Sequence, residues 1–300
     1  MVYLYNESLF LFGRVKNAVK ALLGRRTRGP EAVRQSLFTG FKELGVEFSF
    51  NARVNRPIEV ACVLSGVKTL RWAIGLKKKG LIKKIIAGPN IAVSPKEENG
   101  LLEHSSIDKV VVPSCWIRDF YLTLSPSLAE KIQVWPAGVT VPPKTAKKKK
   151  YDFLVYNKIG ENILFLDIRE FLKGNDANFK IITYGKFNQK EYFELLDESK
   201  YEIYLSESES QGLAMFEAWA RDVPTLVWER GFWQKGANSW NGFTTSEYLT
   251  KQEGLRFKDF KEFKVLFLKL SREKFSPREY ISKNFTNRIG AKNYLTVINN

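Results

Sequence analysis

Short apolar runs alternate along the chain with amphipathic stretches of helical length. In the first half, apolar runs bounded by polar, Gly or Pro residues predict strands at 2–5, 46–50, 58–64, 85–87, 109–113 and 132–136. Helices are predicted at 31–44, after a Gly29-Pro30 step, and at 114–122. Strands that alternate with helices predict a parallel sheet covered on both faces.

The second half repeats this alternation. Apolar runs predict strands at 153–156, 180–183, 201–205 and 225–228, and the stretch 277–298 is predicted to be one helix. Between the halves, Pro142-Pro143 and the lysine run 147–150 form a charged break of the kind found in linkers. We therefore predict two α/β domains, residues 1–143 and 144–300, with the last helix crossing back onto the first domain.

The segment 201–220 carries the clearest chemical signal. An apolar strand at 201–205 leads into a Ser/Glu-rich loop, and Leu213, Phe216 and Ala220 then recur at helical spacing, so Gly212 is predicted to open a helix. The first N–H groups of a helix have no partner within the helix, and together with the helix dipole they favour a phosphate. Glu217 lies about a turn and a half inside the helix, whereas Glu209 stays on the loop.

These residues resemble a known signature. Glu209 and Glu217 form an E-x7-E motif around Gly212-Leu213, and a strand that begins Val223-Pro224 follows. The pattern resembles that of retaining GT-B glycosyltransferases of family 4. The resemblance implies two Rossmann-like domains that face each other across a cleft. It also implies that Glu217 holds the ribose of a nucleotide-sugar, that Glu209 lies beside the transferred sugar and that Gly212 and Leu213 bind the diphosphate through their N–H groups.

Further blocks support the resemblance across nearly the whole chain. Residues 107–118 resemble the strand-serine-helix block that closes the acceptor domain, and residues 131–139 resemble the strand and Gly-Val turn before the interdomain linker. Thr140 stands where the family usually has Asp, and the His common near the acceptor side of the donor sugar is absent. His104, the single histidine, is interpreted as a loop residue.

Lys158 is the predicted catalytic cation. It follows the first strand of the second half, at the carboxyl end where ligands of open α/β sheets bind, and a cation there would neutralise the departing diphosphate. Family members commonly have an Arg as well, which this chain does not clearly show. Tyr184 follows the next strand and is a candidate for the base and phosphate region, and Gly29 is a candidate for close backbone approach to the diphosphate.

Each assignment has a structural alternative. Ser208 or Ser210 would cap an ordinary helix, with Glu217 as a solvated or salt-bridged side chain. Lys158 would equally suit a solvated loop. The stretch 10–26 has one apolar and one basic face at helical spacing, which suits an anionic membrane surface or packing on the sheet.

Composition narrows the function classes. The net charge is +16, and residues 1–150 hold 26 Lys+Arg against 11 Asp+Glu, whereas residues 151–300 hold 22 against 21. The basic half therefore predicts an acidic partner. The two cysteines lack metal-like spacing, no apolar run is long enough for a transmembrane helix, and the first residues lack the basic segment of a signal peptide.

We therefore expect a cytoplasmic, metal-independent hexosyltransferase that associates peripherally with the inner membrane face and works in cell-surface glycan biosynthesis. It would use a nucleotide-sugar as co-substrate, no cofactor, and an anionic glycan or lipid-linked acceptor, with retention of configuration. The alternatives are a catalytically degenerate GT-B binding protein and a basic nucleic-acid-binding protein. No nucleic-acid-binding motif is visible, so we expect no specific nucleic-acid partner.

Overall fold

The computed structural model describes residues 1–9, 29–144 and 148–300. These residues divide into two units, each built on a parallel sheet. The first unit holds residues 1–9, 29–138 and 287–300, and the second holds residues 139–144 and 148–286. The amphipathic stretch 10–26 and the first part of the lysine run lie outside the described residues.

The first unit contains a six-stranded sheet. Its strands are β1 (Val2–Tyr5), β2 (Phe48–Phe50), β3 (Ile58–Ser65), β4 (Ile82–Asn90), β5 (Lys109–Val112) and β6 (Ile132–Val134). All pairs are parallel, and the strands lie in the order β2-β1-β3-β4-β5-β6. The strand order reverses between β1 and β3, as in doubly wound Rossmann-like sheets.

The second unit contains a five-stranded parallel sheet and a hairpin. The strands are β7 (Tyr151–Asn157), β8 (Phe179–Thr183), β9 (Ser199–Leu205), β10 (Thr225–Trp228), β11 (Phe232–Lys235), β12 (Asn238–Asn241) and β13 (Gly254–Phe257). The sheet order is β8-β7-β9-β10-β13, while β11 and β12 form the antiparallel hairpin. The first five positions of the two sheets therefore have the same order, and the second reverses between β7 and β9.

Nine helices of more than one turn are described. They are α1 (Gly29–Leu44), α2 (Val67–Lys78), α3 (Cys115–Leu124), α4 (Ile163–Gly174), α5 (Gln189–Glu198), α6 (Leu213–Ala220), α7 (Phe260–Lys269), α8 (Pro277–Asn284) and α9 (Asn287–Asn299). Short helical turns lie at Glu7–Leu9, Glu97–Gly100, Leu101–Glu103, Pro126–Leu128 and Leu270–Arg272. The predicted strands are all present, with ends that differ by a few residues, and β11, β12 and β13 were not predicted.

Both faces of the second sheet are covered, as the sequence predicts. Along β7, Phe153 and Val155 pack into one core with α4 and α7, whereas Leu154 and Tyr156 pack into the other with α5, α6 and α8. This follows from the two-residue period of a strand, because successive side chains point to opposite faces. The continuous apolar run within β7 is typical of a parallel strand that is buried on both faces.

The prediction of one helix over 277–298 is wrong. The helix breaks after Asn284, where Phe285 adopts φ −139° and ψ 37°. The Phe285 carbonyl accepts the N–H of Val139 (2.8 Å), and its ring packs on Phe216 (4.8 Å between centroids). These tertiary contacts hold Phe285 in a non-helical conformation, and α9 then begins as a separate helix.

Helix α9 packs on the first unit, against α1. Gly40 of α1 meets it closely, since a Cβ at that position would lie 2.1 Å from the Asn287 carbonyl oxygen. At the other end of α9, Lys109 Nζ donates to the Val297 carbonyl (2.9 Å) and Lys84 Nζ to that of Ile298 (3.4 Å). Two lysines thus satisfy the last carbonyls of the helix, where its dipole is negative.

Candidate functional site

Lys158 and Glu209 lie at the carboxyl ends of β7 and β9, on either side of the point where the strand order of the second sheet reverses. Lys158 directly follows β7, and its N–H donates to the carbonyl of Leu205, the last residue of β9 (2.8 Å). Glu209 lies four residues beyond β9 and its N–H donates to the Thr244 carbonyl (2.7 Å). Ligands of open α/β sheets bind at such reversal points.

The two side chains form an ion pair. Lys158 Nζ lies 2.5 Å from Glu209 Oε1, with side-chain exposures of 22% and 15%. The same Nζ lies 4.6 Å from the centroid of the Tyr184 ring, which is itself about half exposed. A partly desolvated cation is thus held between a carboxylate and an aromatic face, both of which attract it.

Tyr204 completes this group. Its hydroxyl donates to Glu209 Oε1 (2.7 Å), and its ring stacks on Tyr156 at 4.7 Å between centroids. Burial, and secondarily the Glu209 charge, holds the pKa of Tyr204 well above its usual value. Tyr204 therefore stays protonated and acts as a fixed hydrogen-bond donor to the carboxylate.

Gly212 and Leu213 occupy the predicted helix entry. Gly212 is the N-cap of α6 with φ 85° and ψ 47°, and Leu213 is the first helical residue. A Cβ at Gly212 would lie 2.3 Å from Met215 Cε and 3.8 Å from Glu209 Cβ. The left-handed conformation favours glycine, whereas the Met215 side chain could move to make room for a Cβ.

Glu217 faces a different element. Its Oε1 accepts a hydrogen bond from Nε2 of Gln189, the first residue of α5 (2.8 Å). All of these groups belong to the second unit. Lys158 follows β7, Gln189 follows β8, and the segment from Glu209 to α6 follows β9. The assignment of the ribose to Glu217 stays a prediction.

A neutral glutamic acid is buried beneath the site. The Tyr192 hydroxyl lies 2.8 Å from Glu202 Oε1 and 2.9 Å from the Ala214 carbonyl oxygen. The Tyr192 hydroxyl has one proton, which it donates to Glu202 Oε1 or to the Ala214 carbonyl oxygen. Burial raises the pKa of Glu202 to about 8, against the lowering effect of the Tyr192 hydrogen bond.

Gly29 belongs to the other unit. It begins α1, is exposed, and a Cβ there would meet no heavy atom within 4 Å. Nothing in its surroundings requires glycine, and its proposed role at the diphosphate stays a prediction. His104 lies in a loop, as interpreted from the sequence, where its Nδ1 accepts the N–H of Ser106 (3.0 Å).

Sequence reasoning missed Tyr204, Thr244 and Glu229. A signal for Tyr204 exists, since Glu202 and Tyr204 place polar atoms on one face of an apolar strand, which marks a buried polar network. The Thr244 carbonyl and the buried Glu229 carboxylate, which organises the loop around Thr244, have no such local pattern. They act through backbone groups brought together by tertiary structure.

Solved structures share this fold over most of the chain. The lipopolysaccharide outer core galactosyltransferase WaaB aligns with 99% of this chain and 98% of its own, at a TM-score of 0.61 and 11% identity. TarM from S. aureus aligns with 80% of this chain at a TM-score of 0.54 and 13% identity, and sucrose-phosphate synthase from Thermosynechococcus elongatus with 90% at 0.52 and 11%. The chain has the GT-B fold.

The GT-B chain spans about 55% of the length of TarM and 77% of that of the sucrose-phosphate synthase. The TarM structure is a complex with fondaparinux, alpha-GlcNAc-glycerol and UDP. No protein-family model and no curated protein sequence matches the chain.

The described residues show neither a cluster of metal ligands nor a membrane-spanning helix. Within residues 1–9, 29–144 and 148–300, no group of three or more His, Cys, Asp and Glu side chains could hold a metal ion. In the same part of the chain, every helix is too short or too polar to span a bilayer. Metal independence and membrane association stay predictions.

Proposed function

We propose that this protein is a glycosyltransferase that moves a hexose from a nucleotide-sugar donor to a glycan or lipid-linked acceptor. The observation that carries the proposal is the Lys158–Glu209 ion pair at the strand reversal of the second sheet, beside the Gly212 entry to α6. It is supported by the shared fold with WaaB, a galactosyltransferase, and with TarM, whose structure contains UDP.

Each residue of the candidate site has a separate role in this proposal. Lys158 would neutralise the charge that develops on the departing diphosphate, because a cation held in a partly water-excluded site stabilises a transition state more than one in water. The N–H groups of Gly212 and Leu213 would bind the diphosphate at the start of α6. Glu217 would accept the ribose hydroxyls, and the exposed Tyr184 ring would stack on the base.

Glu209 would lie beside the transferred sugar. Lys158 and Tyr204 both bind its Oε1, which fixes the carboxylate, and its negative charge would stabilise positive charge at the reacting carbon. Because the Glu209 carboxylate would lie beside the transferred sugar and Lys158 beside the diphosphate, we propose transfer with retention. Proton NMR of the product's anomeric signal tests this, and an inverted product would contradict it.

The acceptor is proposed to be anionic and membrane-associated. The support is the one-sided charge, since 26 of the 48 Lys and Arg residues fall in residues 1–150 against 11 of the 32 acidic residues. Cosedimentation with phosphatidylcholine vesicles that contain phosphatidylserine should show binding that falls with added salt, and neutral vesicles should show none. Equal binding to a random oligonucleotide would favour the nucleic-acid alternative.

Donor binding is the decisive experiment. Thermal shifts would be measured without metal against UDP-, GDP-, ADP-, CMP- and dTDP-sugars, since a ligand at 100 times its Kd stabilises by about 2.7 kcal/mol. We expect one nucleotide to stabilise the wild type and Glu194→Ala, an exposed helical control, but not Glu217→Ala. No shift with any donor would contradict the proposal, and a shift retained by Glu217→Ala would reject that residue's role.

Metal independence has its own test. Lys158 already supplies a cation at the proposed diphosphate position, so transfer should persist in EDTA with at most a small change in rate. Loss of activity in EDTA that Mg²⁺ or Mn²⁺ restores would contradict this part of the proposal.

A further inference from the structure

Glu229 is a buried carboxylate at the end of β10 that receives five hydrogen bonds. It is 2% exposed. Oε1 accepts the N–H groups of Gly231 (3.1 Å) and Thr244 (3.2 Å). Oε2 accepts the N–H groups of Thr245 (3.0 Å) and Ser246 (3.1 Å) and the Ser246 hydroxyl (3.0 Å). Every one of these contacts is a donor, so both oxygens must accept.

These bonds close the β11–β12 hairpin at its base and fix the segment that follows it. Gly231 precedes the hairpin and Thr244 follows it, and Gly242 N–H donates to the Gly231 carbonyl (2.9 Å). Arg256 supports the same segment from behind, with Nε on the Ser246 hydroxyl (2.9 Å) and Nη2 on its carbonyl (2.6 Å). The segment 244–246 is therefore held from several directions.

The same segment holds Glu209. The Thr244 carbonyl accepts the Glu209 N–H at 2.7 Å, and the Thr245 hydroxyl donates to the Ser206 carbonyl at 3.3 Å. Both ends of the loop 206–209 are thereby attached to residues that Glu229 orders. A chain of hydrogen bonds runs from the Glu229 carboxylate through Thr244 to the backbone of the proposed catalytic glutamate.

We propose that Glu229 is a positioning residue that fixes Glu209 through Thr244. This rests on the proposed function, which assigns Glu209 to the reaction. Lys158 and Tyr204 fix the Glu209 side chain, while Glu229 fixes its backbone. A carboxylate is required because it is the side chain that accepts at both ends, and a displacement of about 1 Å at a reacting group can cost about 10²-fold in rate.

Glu229→Gln is the discriminating variant. Whichever way the amide is turned, its NH₂ group faces two backbone N–H donors, so one side of the cluster must open. Glu253→Gln is the matched control, since Glu253 is also fully buried but its Oε2 accepts the N–H of Thr250. The control therefore changes a buried acidic side chain that makes no hydrogen bond to residues 244–246, although its charge acts on Arg256.

Two measurements are made on both variants and the wild type. Amide hydrogen exchange reads the Glu209 N–H directly, whether or not the protein transfers sugar, and we expect exchange at least about tenfold faster in Glu229→Gln alone. Kinetics should show kcat lowered about 10²-fold in Glu229→Gln with donor Kd changed less than about threefold. Glu253→Gln should match the wild type in both.

Unchanged Glu209 exchange in Glu229→Gln would overturn the inference. So would equal losses in the two variants, which would mean a general effect of removing a buried carboxylate. If exchange changes as expected but the wild type neither binds donor nor transfers sugar, the hydrogen-bond chain stands and the proposed function fails. Retained kcat with fast exchange would overturn the catalytic consequence.

Discussion

The two sheets have equivalent strand reversals, but different chemistry follows them. In the first unit, Asn6 follows β1 and its Oδ1 accepts the Ser8 N–H (3.0 Å) and Asn51 Nδ2 (2.9 Å). The carboxylate there, Glu7, accepts the Ser65 hydroxyl. In the second unit, the corresponding position after β7 holds Lys158, paired with Glu209.

The difference shows that the reversal of strand order creates a possible ligand-binding position at the carboxyl ends of the strands. The residues that follow each strand determine the chemistry of that position. Amide and hydroxyl groups at the first reversal bind one another and order the loop after β1. At the second reversal, an ion pair lies against an exposed aromatic ring, which places two charged groups at the strand ends. A shared fold does not by itself fix an activity, so the proposed function depends also on the side chains of the second unit.

The largest effect is expected for Lys158→Ala. It removes the cation from the proposed diphosphate position, so kcat for sugar transfer should fall about 10²- to 10³-fold. Lys190→Ala, a lysine with an 85% exposed side chain on α5, should leave the rate unchanged. If Asn51→Ala abolishes donor binding while Lys158→Ala retains it, the comparison is reversed and the donor belongs to the first unit.

A pair of glycine variants tests the close packing of α1 against α9 in the first unit. Gly40→Ala places a Cβ against Asn287 and Ala291 of α9 and should lower the free energy of unfolding by about 1–3 kcal/mol. Gly75→Ala, in open space on α2, should raise it by about 0.5–1 kcal/mol. Urea unfolding measures both, and equal effects would argue against the close α1–α9 packing.

The second unit should carry a pH dependence through Glu202. Its pKa is raised from 4.5 to about 8 in the folded state, so the folded protein binds the proton more tightly. This stabilisation is complete below pH 4.5 and is lost as pH rises towards 8, by about 1 kcal/mol per pH unit. Unfolding at pH 5, 6.5 and 8 should show this slope in the wild type and not in Glu202→Gln; parallel curves would contradict it.

The smallest effect is expected at Tyr184. Tyr184→Ala removes the ring beside Lys158 and should weaken donor binding by about 1 kcal/mol, or roughly fivefold. Tyr184→Phe keeps the ring and should bind within about twofold of the wild type by calorimetry. Equal losses in the two variants would show that the hydroxyl, not the ring, matters.

The sequence predicts those residues of the candidate site that follow the ends of apolar strands. Lys158 and Glu209 each follow an apolar run, and the carboxyl ends of parallel strands share one edge, so their proximity could be expected. Gly212 was visible as a helix start because Leu213, Phe216 and Ala220 recur at helical spacing. These are local signals that tertiary structure then brings together.

Other features have no local signal. The short strand β13 lies at the sheet edge within a polar stretch, and the break at Phe285 arises from contacts with Val139 and Phe216, far away in the chain. Glu229 looks in sequence like an ordinary charged residue after a strand. Its five donors come from residues on both sides of a hairpin that the apolar pattern does not reveal.

The return of α9 to the first unit has a consequence for folding during synthesis. Residues 139–286 of the second unit are made before α9, whereas the first unit is complete only when residues 287–300 have left the ribosome. Until α9 arrives, Gly40 of α1 lacks its contacts with Asn287 and Ala291, and the Trp135 indole, whose Nε1 donates to the Gly290 carbonyl (2.8 Å), lacks that acceptor. A released chain truncated before residue 287 should therefore be a good chaperone substrate through its earlier, not its later, half.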